Sequence, residues 1–410
     1  LNREGVVLSA AGAPRILAEK NGYSTIASLL PAMTGERTDG ALLEPLRDLV
    51  LRPATIKRLV SVSEEEGIAG LLFFMVKNGG QGPWQSLLEP LKRIYLAQAA
   101  RNMLVFRELE PFLEAASQKG IRLAMTKGAR LALTVYPDPA LRPFWDVDFF
   151  VHPGDWAAAA SVLRQSGFRL VSGLSGGCGP EAGRAWTFSP YYKKDRIHLE
   201  FHCQPLGLAV PLRRPEEFWE SMATLAVGRA AVRVLSPEFE LCYLCLHAAQ
   251  HSYSRLIWLA DLAELLRRAR PSGSRIAEIC LREGVASVVH KSLSLARRLA
   301  GAPVEQELLD RLRPGAWTGR ALDILWPAEE LAVRKPSGRW PYEITSIFCL
   351  WERRSPGQAL AVFPGLVFPP RAWIAHVSGR DRSGLIYLKR YISRLASPAV
   401  TAARRLMRLD

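Results

Sequence analysis

The stretch from Lys127 to Val151, KGARLALTVYPDPALRPFWDVDFFV, constrains this chain most, because two acids, Asp146 and Asp148, sit inside an apolar run. In a strand, alternate side chains share a face, so the pair points one way with Cα atoms ~6–7 Å apart. Phe144, Trp145, Val147, Phe149, Phe150 and Val151 surround them. Two ionised carboxylates in such company repel each other unless a cation or a proton intervenes. Hard divalent ions take oxygen ligands of this kind, commonly one or two carboxylates together with substrate phosphates. The triplet therefore points to metal-assisted phosphoryl chemistry. An isolated D-x-D is more often a solvent-facing strand edge, so its flanks decide.

Upstream, Ile121 to Met125 (IRLAM) reads as a buried strand, Thr126-Lys127-Gly128 as a turn, and the residues from Gly128 as a short helix. A strand feeding a helix through glycine leaves backbone N–H groups free to attract phosphate, and Lys127 adds a point charge there. Arg142, four residues before Asp146, is placed to clamp a phosphate bidentately; pairing with Asp138 or Asp146 is its structural alternative. Downstream, RIHLEFH (Arg196 to His202) alternates, so His198, Glu200 and His202 share a face opposite Ile197, Leu199 and Phe201. Glu200 is then a candidate third carboxylate. His198 and His202 are candidate acceptor or phosphate contacts, with packing as the competing reading. From Pro237 a helical pattern puts His247, His251 and Arg255 at four-residue steps on one face. These could meet phosphates or the acceptor, or form a buried patch in which Asp261 pairs with one of them.

A strand, a K-G or G-[SG] turn, a helix, R-x-x-x-D-h-D and a later strand with one more acid together resemble the nucleotidyltransferase superfamily typified by DNA polymerase beta. The wording LAMTKGARLALTVYPDPALRPFWDVDFFV, followed by RIHLEFH and LHAAQHSYSRLIWLADLAELL, is most similar to the bacterial "uncharacterised nucleotidyltransferase" family. The resemblance is loose from about residue 40 onward and sharp across 121–265. Ala129 stands where the superfamily turn usually has a second glycine or serine, and Glu200 where aspartate is commoner. The resemblance implies two-cation nucleotidyl transfer: Asp146, Asp148 and Glu200 as catalytic and metal-binding acids, Mg2+ (or Mn2+) as cofactor, and an NTP, with AMP the group moved, as substrate. Lys127, Gly128 and Arg142 would bind the nucleotide. The acceptor would be a small molecule or peptide; a toxin-like or adenylylating enzyme acting on tRNA or protein, a degenerate nucleotide-binding scaffold, and hydrolysis by the same acids are the alternatives.

At 410 residues, 49% apolar and 23% charged, the chain has ordinary globular composition and room for two or three cores. The expected fold class is α+β. A small mixed-sheet palm over 116–235, with strands at 121–126, 145–151, 168–172, 184–188 and 196–202 and another at AAVRVL, is flanked by a helical region at 1–115 and a helical domain at 236–355. An extended link and a basic helix occupy 356–410, the helix docking on the protein in preference to an anionic membrane or nucleic acid. Asp155 is the expected cap of a helix ending at Gly167. The glycine-rich stretch 173–183 reads as a flexible hairpin loop. Six scattered cysteines predict no disulfide framework, and Cys242-x-x-Cys245 falls in an apolar helical pattern that predicts core packing. The longest clean apolar run, Gly67 to Val76, is short of the ~20 residues a spanning helix needs, and no secretory leader is visible, which predicts a cytoplasmic protein. The net charge of +15 is compatible with an anionic substrate, although arginine-rich composition alone produces it.

Overall fold

Val147–Val151 is buried along its whole length while Ile197–His202 alternates between buried and half-buried positions, which puts hydrophobic layers on both sides of one sheet. The computed structural model describes residues 22–35, 40–47, 49–172, 191–202, 206, 212–333 and 343–353. The expected strand at 184–188, the glycine-rich stretch 173–183 and the link and basic helix of 356–410 lie outside the described residues.

The chain begins with helices α1 (Gly22–Met33), α2 (Pro53–Glu65), α3 (Ala69–Asn78) and the long α4 (Leu88–Gln118). Next come β1 (Leu123–Thr126), α5 (Lys127–Thr134), β2 (Val147–Val151), α6 (Trp156–Gln165), β3 (Arg169–Ser172), β4 (Tyr191–Lys194), β5 (Ile197–His202), α7 (Pro215–Glu220), β6 (Ala223–Val227) and β7 (Ala230–Val234). Helices α8 (Pro237–Gln250), α9 (Leu256–Ala269), α10 (Gly273–Glu283), α11 (Ala286–Ala300), α12 (Gln306–Arg311), α13 (Ala316–Leu325), α14 (Ala328–Val333) and α15 (Glu343–Glu352) follow.

The fold is α+β, with one mixed sheet of seven strands in the order β3-β4-β5-β2-β1-β7-β6. β2 runs antiparallel to β1 and parallel to β5, with Asp148 opposite both Thr126 and Glu200. This register is what brings acids 52 residues apart in sequence to neighbouring strands, since a slip of one residue would send one of them to the other face. The AAVRVL strand is present as β7, but it is half of a hairpin with β6, turning at Gly228 (φ +59).

One face of the sheet carries Val147, Phe149, Val151, Leu199 and Phe201, packed with Leu109, Phe112 and Leu113 of α4 and Trp156 and Leu163 of α6. The other carries Phe150 against Phe218 and Tyr243, joined to the core of α1, α3, α8, α9 and α11. Full burial of each such aromatic contributes about 1.5–3 kcal/mol, so register and layering are fixed by the same residues. Cys242, Cys245 and Cys280 are fully buried free thiols in this core, and Cys242 Sγ lies 3.5 Å from Cys280 Sγ.

One expected detail differs. Asp155 does not cap α6 with its side chain; its carboxylate accepts the Arg122 backbone amide at 3.0 Å and guanidinium at 2.7 Å, which ties the start of β1 to the start of α6 instead. Farther along the helical domain, α10 and α11 are separated where Gly284 adopts φ +62, a left-handed conformation that glycine reaches without the clash other residues meet.

Candidate active site

The strand β1 hands over to α5 at Thr126-Lys127-Gly128, as the sequence predicts, but the residues divide the work differently. The left-handed position falls on Lys127 (φ 55), not on Gly128. Gly128 serves a close approach: a Cβ there would meet Phe144 Cβ at 2.7 Å and Arg142 Nη1 at 3.1 Å. That packing holds the segment leading into β2 against the helix start.

Lys127 points its ammonium at the acids. Nζ lies 2.8 Å from Asp148 Oδ1 and 3.5 Å from His202 Nε2, and His202 Nε2 lies 2.7 Å from the same Asp148 oxygen. Glu200 Oε2 is 3.8 Å from His202 Nε2. Asp148 is buried, while Lys127, Glu200 and His202 are half-buried, so the cluster is reachable from one side. Burial alone would raise the Asp148 pKa, but Lys127 and His202 more than offset it and hold the carboxyl well below its ordinary range. Burial likewise pulls the Lys127 ammonium down, and Asp148, with Tyr243, Glu200 and Asp146 behind it, carries it well above its usual value. The pair is therefore ionised together.

Asp148, Glu200 and His202 can each offer one ligand atom within 4.8 Å of the others. Two carboxylate oxygens and an imidazole nitrogen are a donor set for a divalent cation, with the oxygens suiting Mg2+ or Mn2+ and the nitrogen favouring the softer of the two. This converging set differs from the expected one in one member. Asp146 stands in the bend before β2, half-buried, and is not part of it; burial first, then Asp148 beside it, push its carboxyl up to about 6. His202, expected as an acceptor or phosphate contact, belongs among the candidate ligands. His198 shares the sheet face of Glu200 and His202, and burial, Lys193 and Arg101 lower its pKa.

Arg142 does not face the site as a phosphate clamp. Its Nε and Nη2 each donate to Asp261 at 2.6 Å, Nη1 donates to the Pro143 carbonyl, and Tyr136 Oη adds a third bond to Asp261 at 2.8 Å. Both partners are buried, so a guanidinium turned toward substrate would leave Asp261 an uncompensated charge. The single helical face expected for His247, His251 and Arg255 is also broken. α8 ends at Gln250, Ser252 and Tyr253 turn through left-handed φ values of 54 and 50, and Arg255 precedes α9. Asp261 pairs with Arg142 and Tyr136 instead of with any of these three.

Sequence reasoning missed Glu240, which is fully buried on α8. Its carboxylate accepts the Lys127 amide at 3.0 Å and the Thr126 hydroxyl at 3.0 Å, and Oε2 lies 3.9 Å from Arg130 Nε. An internal carboxyl thus already answers one of the α5 amides on which a phosphate was expected. The signal was an acid inside the apolar helical pattern PEFELCYL. Arg101 was also missed; it donates to the Phe144 and Trp145 carbonyls and lies 5.1 Å from the exposed Trp145 ring, fixing the lead-in to Asp146.

The family described as "Uncharacterised nucleotidyltransferase" matches residues 52–301. The chain belongs to this family. The match takes in β1, α5, β2, β5 and the helices α8 and α9, so every residue of the cluster just described lies inside it. No curated protein and no solved structure matches the chain. Among the described residues, no helix is long and apolar enough to cross a membrane.

Proposed function

We propose that this nucleotidyltransferase-family protein transfers a nucleoside monophosphate, AMP in the first instance, from an NTP to a hydroxyl on a small molecule or peptide, releasing pyrophosphate. The observation that carries this reading is the convergence of Asp148, Glu200 and His202 from two parallel strands beside the β1–α5 turn. Asp148 and Glu200, with His202, would hold the cation, and Asp146 joins them once ionised. A divalent cation held there neutralises triphosphate charge and lowers the pKa of the acceptor hydroxyl. With a cation held by the acids, the Lys127 ammonium, now 2.8 Å from Asp148, would be free to serve the phosphate oxygens. The acceptor oxygen would bond to the α-phosphorus as the bond to the bridging oxygen breaks, the hydroxyl proton passing to solvent and pyrophosphate leaving.

A second reading rests on Lys127 itself. An ammonium 2.8 Å from Asp148 and 3.5 Å from His202 sits where a cation's charge would be needed, which favours a scaffold that has exchanged the ion for a lysine. Labelled NTPs with Mg2+ and cell extract separate the two. Transfer predicts pyrophosphate together with label in a small-molecule or peptide fraction; label in RNA or in a protein band moves the acceptor to those classes. Calorimetric silence toward Mg2+ and ATP in both the wild type and the Asp146→Ala/Asp148→Ala double variant favours the scaffold.

The Asp146 carboxyl gives the site a pH signature. Its folded-state pKa is raised, so its contribution to stability is fully present below the unfolded value near 4 and is lost as pH rises through about 6. In cation-free protein, Tm should therefore fall across that window relative to Asp146→Asn, and saturating Mg2+ should remove the difference. Divalent affinity should drop about tenfold per pH unit below about 6. Parallel thermal melts of both proteins, with and without Mg2+, check this, and identical pH profiles would count against Asp146 as a site carboxylate.

A further inference from the structure

The usual places to hold phosphate near the acids are already taken: the Lys127 amide donates to Glu240, and Arg142 is committed to Asp261. A row of aromatic and imidazole rings leads away from the acids along α8. Lys127 Nζ lies 5.5 Å from the Tyr243 ring, and that ring lies 6.3 Å from His247, one turn further along α8. His247 and His251 follow at 4.6 Å, and Trp258 of α9 closes on both at 5.2 and 5.3 Å. A continuous wall of rings thus runs from the Asp148–Lys127 pair to the corner between α8 and α9, and His247, His251 and Trp258 are all half-buried.

The corner is built rigidly. Ser252 and Tyr253 are consecutive non-glycine residues in the left-handed region, a costly conformation that persists only where the surroundings enforce it. The Tyr253 hydroxyl is 2.7 Å from Ser292 Oγ, and its ring packs edge-on against Trp326. What this turn presents next is Ser254 and Arg255. Ser254 is 3% exposed and its Oγ has no hydrogen-bond partner; the buried Nε of Arg255 has none either. Buried donors left unanswered are rare in folded proteins because each forfeits its hydration. Glu66, at the end of α2, accepts the Leu256 amide at 3.0 Å, next in the chain.

We propose that the α8–α9 corner, with Ser254 and Arg255 as donors and His247 and His251 lining the approach, is a phosphate-binding site for a substrate lying on the acidic centre. The inference rests on the nucleotidyl-transfer reading for the position of that substrate. The phosphate is either the terminal part of the NTP or a group carried by the acceptor. A guanidinium with an unspent N–H and the hydroxyl of the preceding residue supply the positive charge and the hydrogen-bond donors that phosphate oxygens take. Burial, Lys127 and His251 hold His247 neutral, so each of its ring nitrogens keeps a distinct role and the wall adds hydrogen bonding without further repelling Arg255.

Calorimetry on the full chain tests this with tripolyphosphate, inorganic phosphate, ATP and AMP against wild type, Arg255→Gln and Ser254→Ala. Arg255→Gln should weaken tripolyphosphate by about tenfold or more and Ser254→Ala by a few-fold, with Mn2+ binding at the acids unchanged by spin-resonance titration. If the phosphate is the nucleotide's, ATP weakens in parallel and AMP does not; if it is the acceptor's, inorganic phosphate weakens and ATP does not. Should Arg255→Gln misfold, the wild-type imidazole NMR signals of His247 and His251, assigned through His247→Gln and His251→Gln, should still move on adding tripolyphosphate. Unchanged affinities in a folded Arg255→Gln, or unmoved imidazole signals, overturn the site. Asp148→Asn separates the two ideas. Cation-free tripolyphosphate binding that survives in it upholds the corner even where no transfer is ever found.

Discussion

Asp148→Asn is expected to lower divalent-dependent nucleotide binding and transfer by about 10²- to 10³-fold, the scale seen when one preorganised charged group is removed from a reacting centre. The reason is position. Asp148 is 3% exposed, sits opposite Glu200 in the parallel β2–β5 pair, and touches both Lys127 and His202. Asparagine keeps the shape and removes the charge, so the Lys127 ammonium loses the neighbour that holds it protonated. A modest loss of stability, about 1–3 kcal/mol, should accompany the change. Equilibrium Mg2+ titration with a nucleotide, alongside denaturation curves, reads both quantities. A folded Asp148→Asn that binds Mg2+ and ATP as the wild type does would show that the acids are not the cation site.

Asp261→Ala should be the most destabilising single change near the site, by about 3–5 kcal/mol. Three buried donors converge on this carboxylate, Arg142 Nε, Arg142 Nη2 and Tyr136 Oη, and alanine leaves them all unanswered around an uncompensated guanidinium. The bond network joins α9 to the segment between α5 and β2, and Asn102 of α4 braces that segment by donating to the Pro139 and Arg142 carbonyls at 2.8 and 3.3 Å. Replacing both members, Arg142→Met with Asp261→Leu, should recover most of the loss, since a buried pair is often no better than apolar groups of similar volume. Urea denaturation of the single and double variants decides it. A loss below about 1 kcal/mol for Asp261→Ala, at unchanged urea dependence, would mean that the pair does not anchor the loop.

Much of this was legible in the chain itself. The alternation in WDVDFFV and RIHLEFH set two strands and told which residues share a face, because side chains in a strand alternate whatever they pack against. The acid pair in apolar company pointed to a charge that needs a partner. The partner of each charge was not legible. Asp261 is 119 residues from Arg142 and Glu240 is 113 from Lys127, and no local pattern links them. Nor did four-residue spacing reveal that the helix stops before His251, since the chain turns through left-handed Ser252 and Tyr253, the latter packed against Trp326.

By itself, then, the sequence determined the α+β class, the strands that carry Asp148, Glu200 and His202, and the handover from β1 to α5 at Thr126-Lys127-Gly128, all consequences of periodicity and local backbone preference. The tertiary structure alone decided that Glu240 caps that turn, that Arg142 belongs to Asp261, that His202 joins the acids while Asp146 stands at the rim, and that Ser254 and Arg255 remain unanswered at the corner. Buried charge is settled by whichever opposite charge the packing brings within reach, and that distance exists only once the helices have closed on the sheet.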